Sequence, residues 1–106
     1  MVFTMDKAAI LDLCAKPLEP VKVETPHGTF HVAKMTAGQL SRFFAEVNEA
    51  PDSKSKAVEL SHILVNEFGV RMFGPEDVTA LDSLPAEIAS PCSVAFRTAN
   101  GMTPKG

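Results

Sequence analysis

The sequence predicts a mainly α-helical α+β domain, with four to five helices packed around a central helix near residues 56–68 and one small β-hairpin. Three observations point there. Between Ala57 and Phe68, stepping about 100° per residue puts Ala57, Val58, Leu60, Leu64, Val65 and Phe68 within an arc of roughly 160°, with Glu59, His62 and Asn66 opposite. A surface helix needs an apolar stripe of only about 100°, so this one is expected to touch neighbours on more than one side. Val21–Glu24 and Thr29–Ala33 alternate apolar and polar residues around Pro26-His27-Gly28, which reads as two strands and a turn. Thr36-Ala37-Gly38-Gln39 has the form of a capping box and opens a third patterned segment.

Taken in order, Thr4 is expected to cap a helix over Met5–Ala15, with Asp6 in its first turn and Ile10, Leu13 and Cys14 on a modest apolar face. Pro17 cannot continue it. So short a helix is marginal alone and must dock on the body or on a neighbouring subunit. The hairpin follows, and two strands alone are barely stable in water. Val21, Val23, Phe30 and Val32 are therefore expected to lie on helices, or another chain extends the hairpin edge.

From Thr36 the next helix runs to about Glu49, with Met35 placed to staple onto Leu40 and with Leu40, Phe43, Phe44 and Val47 on one face. Ala50–Ser55 is a polar breaker loop. After the central helix, Gly69 is expected to stop it, and Pro75 to open a helix to about Asp82. A last helix starts near Pro85, with a kink or a restart capped by Ser90 expected at Pro91, and ends at Asn100-Gly101. The plan is a single domain over 1–106: N-terminal helix 1–17, hairpin 21–33, helical body 36–100 and loose tail 101–106.

Composition narrows the function. With 45% hydrophobic and 22% charged residues the chain is globular in type, and a net charge of −3 with scattered Lys and Arg argues against a nucleic-acid binder. The longest apolar run is too short to cross a membrane, and the N-terminus lacks a signal-peptide layout. Cys14 and Cys92 lack metal-type spacing and read as two buried thiols of a cytosolic protein. His27 and His31, with Glu24 nearby, have no third ligand at recognisable spacing and read as solvated strand histidines. His62 falls on the polar face of the central helix and reads as exposed. Glu67 and Asp77 lack the dense oxygen spacing of a calcium loop. There is no nucleophile elbow and no phosphate-cradling glycine loop. The expectation is therefore no enzyme, no metal and no cofactor, with surface for partners instead. Adjacent Phe43 and Phe44 are either both core, or one of them is exposed for a partner.

The order of elements resembles the tail assembly chaperones of long-tailed (siphovirus-type) bacteriophages. The matching residues are Glu67, Gly69, Phe73, Asp77, Val78, Leu81 and Leu84 after an apolar helix, the hairpin-like run Val21–Val32 with Met35-Thr36-Ala37, and the end Ala99–Thr103. They span most of the chain, roughly Val21 to Thr103, although no single motif is specific. The interruption at Ser90-Pro91 departs from that pattern. The resemblance implies a host-cytoplasmic protein, absent from the mature virion, that keeps a tape-measure protein soluble and helps recruit tail-tube subunits. It also implies self-association, and a frameshifted longer product continuing from near Pro104-Lys105-Gly106. The candidate partner-binding residues are Phe43, Phe44, Val47 and Phe73. The alternative is a small regulatory interaction module of the antitoxin or transcription-accessory type.

Overall fold

The computed structural model describes residues 4–102. Five α-helices and a three-stranded antiparallel sheet follow in the order α1 (Lys7–Ala15), β1 (Val21–Thr25), β2 (Gly28–Val32), α2 (Ala37–Glu49), α3 (Ser55–Ile63), β3 (Leu64–Val65), a 3-10 turn (Pro75–Asp77), α4 (Val78–Leu81) and α5 (Ala86–Ala99). The α+β class is therefore the one the patterning predicts. Helix α3 packs against α2, α4 and α5, while α5 also lies across β1 and β2. The core between them holds Val23, Val32, Phe43, Leu60, Ile63, Cys92 and Phe96.

The central helix is shorter than the periodicity predicts. It stops at Ile63, and Leu64–Val65 pairs with Val32 and His31 as a third strand. The run Ile63-Leu64-Val65 is buried either way, so an apolar run alone does not separate helix from strand. What decides is the open edge of β2, whose backbone groups need partners. Beyond it, Asn66 N–H donates to the Val70 carbonyl at 2.9 Å, and Val65 bridges Arg71, which closes a tight loop over Glu67-Phe68-Gly69. Gly69 sits at φ +82°, as the last position of such a three-residue hairpin loop demands. The Asn66 side chain accepts from Phe68 N–H (2.8 Å) and Val70 N–H (3.0 Å). Phe68, expected inside the helix, is 79% exposed at the loop tip. The hairpin edge is thus covered by this chain's own β3 rather than by another chain.

Several local expectations need correction. Asp6, not Thr4, caps α1 by accepting from Ala9 N–H at 2.9 Å. No residue of α1 is buried, Cys14 included, so the helix docks on none of the core. A Cα radius of gyration of 15.2 Å, against about 13 Å for a compact chain of this length, fits a helix standing off the body. Glu59 is buried, not solvated, because α5 covers that side of α3. Helix α5 runs through Pro91 without a restart. The bond that Pro91 cannot make would reach the carbonyl of Glu87, an exposed first-turn residue that water can serve. The buried Ile88, Ala89, Cys92 and Phe96 flank the proline and hold the helix in place.

Other expectations hold. Thr36 and Gln39 form the reciprocal capping box at 3.0 and 3.2 Å. Gly74 and Pro75 open the short 3-10 turn, with Asp77 accepting from Gly74 N–H at 2.9 Å. At the end of α5, Met102 N–H donates to Arg97 O (2.7 Å) and Gly101 N–H to Thr98 O (3.2 Å), a Schellman stop with Gly101 at φ +78°. Met102 packs on the core rather than joining a loose tail; 103–106 lie outside the described residues.

Candidate partner-binding surfaces

The aromatic pair on α2 divides between core and margin. Phe43 is buried, its ring 5.0 Å from Phe96, 5.3 Å from Phe44 and 5.8 Å from the His62 imidazole. Phe44, Val47 and Phe73 are half-buried against the same core. The helical spacing of α2 brings Phe43, Phe44 and Val47 to one face, as expected, but it leaves the Phe43 ring no surface to offer.

The exposed apolar surface lies elsewhere. On α1, Ile10, Leu11 and Leu13 are each about half exposed, at 49, 55 and 55%. Leu18 follows in the connector to β1, and Phe68, Val70 and Met72 project from the loop after β3. The connector to β1 meets this loop at Pro20, whose Cδ lies 3.6 Å from where a Cβ on Gly69 would sit. Apolar side chains so placed are unusual when they group together, since scattered single ones need no explanation. Leu11, Leu18, Phe68, Val70 and Met72 escape sequence reasoning because a helical wheel assigns apolar residues to a core. The signal for the loop group is the Asn66-x-x-Gly69 turn, which the helix reading overran.

Two polar arrangements surround the core. Inside, the Glu59 carboxylate accepts from Arg97 Nη2 (3.0 Å), from Lys56 Nζ (3.3 Å) and from the Ser93 hydroxyl, which itself accepts from Lys56 at 3.1 Å. A buried charge is tolerated only with such partners, so this cluster pins α3 to α5. Outside, a solvent-open cleft of about 400 Å³ lies between α2, the β2–α2 connector and the loop after β3. Arg42, Lys34 and Arg71 line it, together with Glu46 and His62, which contact each other. His62, expected to be exposed, is largely enclosed: burial and the neighbouring Arg71 lower its pKa and outweigh the opposing pull of Glu46.

Among the described residues no group of three His, Cys, Asp or Glu side chains is placed to hold a metal ion. His27 sits in the hairpin turn, 3.2 Å from Glu87, and His31 pairs across the sheet with Lys22 and Val65. Burial raises the Cys92 thiol pKa, which suppresses its thiolate, and Cys14 is exposed. No helix among the described residues is long and apolar enough to cross a membrane. Comparison with protein-family models, with curated proteins and with solved structures found no match.

Proposed function

We propose that this chain is an assembly chaperone of the phage-tail type, which binds a long helical client through exposed apolar side chains and makes or breaks no covalent bond. The observation that carries the reading is α1: a capped helix whose Ile10, Leu11 and Leu13 remain half exposed and which buries nothing on its own body. A nine-residue helix is not stable in water by itself, so it gains when a partner covers it. The loop carrying Phe68, Val70 and Met72 offers a second exposed apolar group. Specific interfaces bury about 800 Å² per partner, which asks for more than one short helix and favours repeated contacts along one client.

The client in this reading is a tape-measure protein, with tail-tube recruitment and self-association as further contacts. Support for those names comes from the resemblance in element order, from the hairpin through Phe73, Asp77, Val78, Leu81 and Leu84 to Asn100-Gly101. The test is co-expression with a phage tape-measure protein. The client is expected in the soluble fraction with the native chain and in the pellet with an Ile10→Asp, Leu13→Asp variant. That variant's own melting temperature should stay within about 2 °C of native, since neither side chain is buried. Equal insolubility of the client with and without the native chain refutes the assignment.

A further inference from the structure

We propose that the cleft between α2 and the loop after β3 is a binding site for an acidic peptide segment, held through carboxylates on Lys34, Arg42 and Arg71. The three cations come from three separate stretches of chain, namely the β2–α2 connector, α2 and the Val70–Met72 loop, and they converge on one space of about 400 Å³. None of them forms an ion pair among the described residues. Among the described residues one carboxylate, Glu46, lines the cleft, in contact with His62. In a chain of net charge −3, three cations therefore meet one carboxylate in this space. Their mutual repulsion is screened only beyond about 8 Å at physiological salt, and an anionic ligand relieves it.

Arg71 is set in advance for this role. Its Nε donates to the Ser61 carbonyl at 2.9 Å, and Nη2 lies 3.5 Å from the Ser61 hydroxyl, which leaves Nη1 without a partner among the described residues. A guanidinium fixed in this way matches a carboxylate with little further loss of freedom. Polar and charged side chains make up most of the cleft wall, and Phe43 and Val65 behind it are almost wholly buried. The volume lies within the range of ligand sites, about 300–1,000 Å³, yet the cleft is open to solvent. Cations spread around an open groove suit an extended segment carrying several carboxylates better than one small anion.

The probe is a fluorescent hexapeptide of alternating Glu and Leu, compared with its Gln-Leu twin and with inorganic phosphate, by anisotropy at low salt and by amide chemical-shift mapping. The Glu peptide is expected to bind at least 10-fold tighter than the twin, to weaken with added salt, and to shift the amides of Lys34, Gln39 and Arg42. Arg42→Gln and Lys34→Gln, both at exposed positions, should each weaken it about 3- to 5-fold with an unchanged circular dichroism spectrum, while Lys22→Gln on β1 should not. Equal binding of the twin, equal loss in Lys22→Gln, or phosphate binding in the cleft without peptide binding would each overturn the proposal. Because it does not involve α1, the Ile10→Asp, Leu13→Asp variant should bind the hexapeptide normally.

Discussion

Replacing Asn100 with alanine is expected to destabilise the fold more than any other single change at a half-exposed polar residue. Its side chain is a clasp between the end of α5 and the strand exit that leads to α2. The Oδ1 atom accepts from Met35 N–H at 2.7 Å, and Nδ2 donates to Ala33 O at 3.1 Å and to Phe96 O at 2.8 Å. The Phe96 carbonyl keeps a second donor, the Asn100 N–H at 3.1 Å, so its loss is mild. Met35 N–H and Ala33 C=O have no such replacement, and each unsatisfied backbone group costs about 1–3 kcal/mol. Taking about 1–1.5 kcal/mol for each of the two, low in that range because the site is half exposed, gives about 2–3 kcal/mol. For a domain of this size that lowers the melting temperature by roughly 10–20 °C. Asn100→Asp retains the acceptor for Met35 but sets a carboxylate against two carbonyls, so it should lose at least as much. Far-UV circular dichroism melts with matched urea titrations decide. A fall below about 3 °C in both variants would refute the clasp.

Other perturbations have directions set by the structure. Ser93→Ala removes a buried hydroxyl from Glu59 and should cost about 1–2 kcal/mol in urea unfolding, with Glu59→Ala costing more. The lowered His62 pKa means that the unfolded chain binds this proton more readily. Its contribution to stability is therefore full above the ordinary value of 6.5 and is lost as pH falls through the depressed folded value, and His62→Gln should flatten the pH dependence of the melting temperature over that interval. Ellman-type titration should find one reactive thiol, Cys14, in the native protein, and Cys92 should react only after unfolding. Phe43→Ser should unfold the domain, since the ring is almost wholly enclosed beside Phe96, and retention of native circular dichroism would refute its core role.

What could be read before folding was whatever neighbouring residues settle among themselves. Thr36 and Gln39 satisfy each other's backbone within one turn, Asn100-Gly101 stops its helix within a few residues, and the alternation around Pro26-His27 marks two strands and a turn. The reading failed where a distant partner casts the deciding vote. Leu64 and Val65 suit a helix or a strand equally, and only the unpaired edge of β2 makes them a strand. Glu59 looks solvated until α5 brings Ser93 and Arg97 over it.

The candidate surfaces divide in the same way. Apolar positions on α1 are visible in the sequence, yet whether they find a core depends on the geometry of the connector after Pro17, and in this fold they find none. Lys34, Arg42 and Arg71 are scattered in sequence and converge only because the turn at Asn66–Val70 folds the chain back beside α2. By itself, then, the sequence determined the secondary-structure class, the Thr36–Gln39 capping box and the Gly101 helix stop, because those energies are local. Tertiary structure alone decided which charges are buried, which apolar side chains stay wet and which cations meet, because burial and convergence are properties of segments far apart in the chain.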